Sequence, residues 1–378
     1  MKTDLVLPKI QNGQTTYSQA ALIGVLAVIA TKFCTLPAVL AGIAGSKAVW
    51  AALILVAAEI AILGCALSVA KQGGLSALPL KKGVRVPLAL LFLVFFALKL
   101  TALSREIASY FALSLFENVA VMPILILLLV TTALLADKGY AAIGRMLEIL
   151  IWLFLFVILF VLVFTRTEGD LFNALGMLSP DLKGLGEGAF KGAAWFGDGV
   201  ILAFLDLSNE KSDTPAEKKT RGRLAFAAAF ASVLIVVTFY AVFTSVYGDA
   251  AKMTNYAFIK LSAFKANADE LGSADWPVII LWSAVSCLYL ALLFLSGKES
   301  LRMIGGKEDS RKSRILSFLL LGGTATILST LFLAEEGDYA AFMTRVMSVV
   351  TILAGAASVG LGIYAIKKEK GEMNEKAN

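Results

Sequence analysis

Lys32 lies inside an apolar run from Tyr17 to Leu40, beside Phe33-Cys34-Thr35-Leu36-Pro37, where a helix should break. About half a chain later a second apolar run is interrupted by Trp195-Phe196-Gly197-Asp198-Gly199, which carries the opposite charge. An ion in hydrocarbon costs about 2.5–3.5 kcal/mol on insertion scales, so it is rarely idle. Proline lacks an N–H and clashes with the preceding turn, while two glycines permit unwinding and close approach. Both features free backbone groups that a polar ligand can satisfy. Two broken, oppositely charged apolar segments in corresponding positions point to a transporter-type binding site. Thr31, Lys32, Cys34, Thr35, Trp195, Phe196, Gly197 and Asp198 are therefore the expected ligand-binding residues. Asp198 could bind an ammonium group or pair with Lys32, and Trp195 or Phe196 could close over a small ligand. The plainer alternative is a proline kink in the first segment and a salt bridge that fixes helix register.

Four intramembrane ionisable residues, Lys32, Glu59, Lys99 and Asp198, are candidates for proton or ion coupling. Lys99 and Glu106 are two helical turns apart and share a face, so structural pairing is expected, with Arg105 directed toward a neighbouring helix end. Glu59 is the most isolated acid. In hydrocarbon its carboxyl could shuttle protons or hydrogen-bond across helices. Arg145 and Glu148 have the i, i+3 spacing of an intrahelical pair. The chain has no histidine, and Cys34, Cys65 and Cys287 all fall in apolar runs. Neither a metal site, a disulfide framework nor a cofactor is expected. Gly197-Asp198 has part of the GxGD pattern of intramembrane aspartyl proteases. Trp195 stands in place of the first glycine, and no Tyr-Asp partner occurs, so no enzyme is expected.

The elements that must position these residues are membrane spans. Of the 378 residues 58% are hydrophobic and 16% charged, with a mean hydropathy of +0.81. A soluble domain has about 45–50% and about 25%. Ten stretches are long enough to cross a bilayer: 17–42, 48–70, 86–112, 119–136, 146–165, 189–207, 222–247, 276–297, 314–333 and 341–366. With the N-terminus inside, 23 of the 34 Lys and Arg fall in inner segments and 8 in outer ones. This bias places both termini in the cytoplasm. It also accounts for the net charge of +6 without nucleic acid. The Lys298–Arg314 cluster is expected to anchor at anionic lipid. Short interfacial helices are expected over 166–188 and 248–275. A single transmembrane domain, 1–366, is expected to comprise inverted repeats over about 17–165 and 189–366, followed by a disordered tail, 367–378.

Four local motifs resemble one family, the membrane-embedded B subunits of spore germinant receptors, within the amino acid–polyamine–organocation transporter superfamily. Thr16-Tyr17-Ser18-Gln19 with Leu36-Pro37 is similar to the family's first span and its break. Leu103-Ser104-Arg105-Glu106-Ile107 resembles its Leu-x-Arg-Glu-Phe. Arg145-Met146-Leu147-Glu148-Ile149-Leu150 resembles its Arg-Leu-x-Glu-Ile-Leu, and Phe196-Gly197-Asp198 its Phe-Gly-Glu. The resemblance implies an all-α, ten-helix fold similar to LeuT, a five-plus-five inverted repeat with broken helices 1 and 6. It also implies binding of an amino acid or similar small nutrient, other germinant-receptor subunits as partners, and residence in a spore inner membrane. Lys32 departs from the family, which usually has glycine there to bring a ligand carboxylate to bare amides. Two functions stay open: a receptor subunit that senses a nutrient, and a proton-coupled or sodium-independent amino-acid permease.

Overall fold

The computed structural model describes residues 15–114, 119–165, 169–170, 182, 184–208, 215–263, 275–305, 311–331 and 335–377. The regular secondary structure of the described residues is all helical, with no strands. The first apolar run forms two half-helices, α1 (Tyr17–Ile29) and α2 (Leu36–Ala44). A capping box starts α1: Thr16 Oγ1 accepts from Gln19 N–H, and the Gln19 carboxamide oxygen accepts from Thr16 N–H. Pro37 occupies the first turn of α2, where its missing N–H has no intrahelical partner to lose. A tight turn at Gly45 leads to α3 (Ala48–Ala70).

The helices α4 (Lys82–Ser114), α5 (Val121–Ala136) and α6 (Tyr140–Thr165) follow. The second broken segment begins with α7 (Leu185–Gly192) and continues, past the break, as a 3₁₀ helix, Asp198–Phe204. Beyond it come α8 (Pro215–Tyr247), α9 (Ala257–Ala263), α10 (Asp275–Gly305) and α11 (Arg311–Leu331). The last segment is α12 (Glu336–Ala341), a π turn at Phe342–Met347 and α13 (Ser348–Ala377). Helices thus fall at each of the ten expected positions. The tail differs from expectation, because α13 continues to Ala377. The Lys and Glu residues after Ile366 are good helix formers and no proline stops them. Of the expected interfacial segments, 257–263 is helical, whereas most of 166–183 and 264–274 lies outside the described residues.

Seven helical stretches among the described residues are long and apolar enough to cross a membrane, and α1 and α5 are shorter apolar helices. One stretch, Leu36–Ala70, runs through the Gly45 turn. On α6, Ile149, Trp152, Phe156 and Leu159 are 61–75% exposed, an apolar face suited to lipid or another apolar surface. The chain is an integral, multi-pass membrane protein. Its centre consists of the two broken segments, α3, α4 and α10, whose Leu288–Leu293 are all buried.

Close backbone approach at one position locks this centre. A Cβ on Gly362 of α13 would lie 2.5 Å from Cys65 Cβ and 2.7 Å from the Cys65 carbonyl oxygen on α3. Gly362→Leu is therefore expected to cost about 1–3 kcal/mol through overpacking. A lowered apparent melting temperature in detergent would register it, and an unchanged one would show that α13 can lift away freely.

Candidate functional site

The first break leaves residues 30–35 outside regular helix, and neighbouring elements satisfy its backbone. The Tyr240 hydroxyl of α8 donates to the Lys32 carbonyl at 2.9 Å. Phe258 and Ala257 N–H donate to the Phe33 and Cys34 carbonyls at 2.8 and 3.0 Å. Thr35 N–H donates to Glu106 Oε1 at 3.1 Å.

In the second break, Gly197 adopts φ +80°, a left-handed conformation that glycine reaches at no steric cost. Here Glu59 of α3 finds its partners. Its carboxylate accepts from Gly197 N–H through one oxygen and from Gly199 N–H, at 2.5 Å, through the other. Glu59 thus stands in for the helical carbonyls that the break removes.

Asp198 sits between two ammonium groups. Lys32 Nζ donates to Asp198 Oδ2 and to the Ala27 carbonyl, and Lys99 Nζ donates to the Phe196 carbonyl and lies 2.6 Å from Asp198 Oδ1. Asp198, Lys32, Lys99 and Glu59 are all at most 1% exposed. Two cations and two anions balance, as buried charge must. The Lys32 ammonium also lies 5.4 Å from the Phe196 ring centre and 5.8 Å from that of Tyr289.

A second polar cluster lies at the N-terminal end of α2. Glu106 of α4 accepts from both the amide and the hydroxyl of Thr35 through Oε1, and from the Tyr339 hydroxyl of α12 through Oε2 at 3.0 Å. An anion at this position complements the positive end of the half-helix.

Overlaying this architecture on solved proteins gives clear neighbours. MhsT in complex with L-phenylalanine is similar with a TM-score of 0.63, at 14% identity over 92% of this chain and 89% of that one. The Eremococcus coleocola manganese transporter, in complex with an aromatic bis-isothiourea substituted compound, is similar with a TM-score of 0.54. Its identity is 13% over 97% of this chain and 91% of that one. The fold is that of the LeuT-type transporters. At these identities the likeness is one of fold. No known family model matches the sequence, and no curated protein is a recognisable sequence relative.

The expected meeting of Lys32 and Asp198 is present, and Thr31, Cys34, Thr35, Trp195 and Phe196 are all buried or nearly so around the two breaks. Two expected charge pairs do not form. Lys99 turns to Asp198 rather than Glu106, because the carboxylate between the breaks offers a closer, deeper partner than its own helix face. Arg145 and Glu148 are exposed and make no ion pair with each other among the described residues; Glu148 accepts from Gln19 Nε2 at 3.0 Å. Arg105 is half-buried. Tyr240, Tyr289 and Tyr339 were not expected at the site. For Tyr240 a signal exists: a tyrosine inside an apolar run tends to find a partner for its hydroxyl.

Proposed function

We propose that the chain is a secondary transporter that carries an amino acid or similar small zwitterion past the two breaks by alternating access. One observation carries this reading: the Lys32–Asp198–Lys99 cluster joins both broken segments to α4 in a fold shared with transporters. The fold's two five-helix halves, 17–165 and 189–366, move against each other around that cluster, and both termini face the cytoplasm. Bound L-phenylalanine in MhsT is a property of that protein. Here it supports an amino acid as the first ligand class to test. Thr31, Lys32, Cys34, Thr35 and residues 195–198 form the binding set. Lys32, Glu59, Lys99 and Asp198 form the coupling set, with an ammonium already placed where a carrier would need a cation.

The germinant-receptor reading has support of its own. Two of the motifs that resemble that family meet in space, through Gln19 and Glu148. A receptor subunit would work in a spore inner membrane with other subunits, keeping the site and using its movement as a signal. Uptake of a labelled mixture of the twenty amino acids into proteoliposomes separates the two. Accumulation driven by an inward proton gradient, and abolished in Lys32→Ala, is the transporter's result. Saturable binding without accumulation is the receptor's. Neither binding nor uptake would overturn the amino-acid reading.

A further inference from the structure

The N-terminus of α2 is an end that favours an anion, and a carboxylate of this chain occupies it. Glu106 takes the Thr35 amide and hydroxyl with one oxygen and the Tyr339 hydroxyl with the other. The group is 5% exposed, and no cation pairs with it among the described residues. Its hydrogen-bond partners, Thr35 of the first break and Tyr339 of α12, are both neutral. The four charges of Lys32, Lys99, Asp198 and Glu59 form a separate group that is already balanced.

Two carboxylates cannot share one buried amide without a cation between them, because like charges repel strongly where water is excluded. We infer that Glu106 is a displaceable surrogate for the ligand's carboxylate, and that a carboxylate-bearing ligand takes its seat only as Glu106 takes up one proton. The proton comes from water on the side from which the ligand enters. Protonated Glu106 gives up the Thr35 amide, which then donates to the ligand's carboxylate. The new carboxyl O–H becomes a further donor to that same group. Net charge in the seat is unchanged, one proton enters with each carboxylate, and a ligand that lacks a carboxylate recruits none. This inference rests on the amino-acid reading and adds its proton stoichiometry and the group responsible.

The test compares two probe sets on the purified full chain in detergent: the pooled twenty L-amino acids, and the amines formed by their decarboxylation. Binding is measured between pH 5 and 8. For amino acids, affinity is expected to be flat at the acid end and then to fall about tenfold per pH unit once Glu106 must be protonated for binding. Glu106→Gln, a neutral mimic of the protonated side chain, is expected to bind amino acids with no pH dependence over this range. Should that variant fold poorly, Tyr339→Phe provides a second arm. It removes one donor to the carboxylate, so the fall in affinity is expected to begin at higher pH, a displacement that a merely structural role would not produce. The amines are expected to bind without the Glu106-linked slope. Amino-acid binding that is equally pH-dependent in Glu106→Gln would overturn the inference, as would binding independent of pH in the unaltered chain. Binding by neither probe set would overturn the amino-acid reading itself.

Discussion

Asp198→Asn is expected to destabilise the folded protein by about 3–5 kcal/mol, the range for removing one partner of a buried ion pair. The substitution barely alters shape, so its effect is almost wholly electrostatic. Lys32 and Lys99 both point at the lost charge, and each is at most 1% exposed, so neither can reach water without moving a helix. The remaining carboxylate, Glu59, is already committed to Gly197 and Gly199 N–H. Adding Lys99→Met restores one cation against one anion and is expected to recover about half of the loss, because the desolvation cost of the second ammonium disappears. Chemical denaturation in detergent, read by tryptophan fluorescence, measures both steps. An Asn variant within about 1 kcal/mol of the parent, the scale of an exposed pair, would show that the lysines are held uncharged and that the cluster is not ionic.

Glu59→Leu is expected to have the next largest effect, acting through the backbone and also removing one of the two anions of the buried set. Two N–H groups lose their acceptor, and a buried unsatisfied donor costs about 1–3 kcal/mol, so the pair costs roughly 2–6 kcal/mol. Glu59→Gln keeps one acceptor oxygen and presents an NH₂ where the second stood. It is expected to cost about half as much and to leave one of the two glycine amides slow to exchange. Hydrogen exchange at Gly197 and Gly199 reads this directly. Equal protection in parent and Leu variant would mean that water or another group caps the break.

Much of this arrangement was legible in sequence because it rests on chemistry that hydrocarbon forbids. Pro37 after Lys32, and Gly197-Asp198 within an apolar run, had to be breaks, and opposite buried charges had to find each other. Glu59 was visible as an acid without a partner, but its partners are main-chain amides, which no residue type announces. The error at Lys99 and Glu106 has a specific cause. Helical spacing describes one helix face, whereas each side chain answers to whichever break the neighbouring helix brings closer. Thr35 and Tyr339 lie 71 and 233 residues from Glu106, and nothing local ties them to it. The tail was misjudged for a different reason, since charge alone does not end a helix.

The Lys32–Asp198 contact also has a meaning for how the molecule is made. Its partners are 166 residues apart, so Lys32 reaches the membrane long before its counter-ion has been synthesised. At about 5–20 residues per second the gap lasts roughly 8–33 s. Throughout that time the nascent first segment carries a penalty of about 2.5–3.5 kcal/mol against entering lipid. The segment that carries Lys32 thus gains its counter-ion only after the second break has been made.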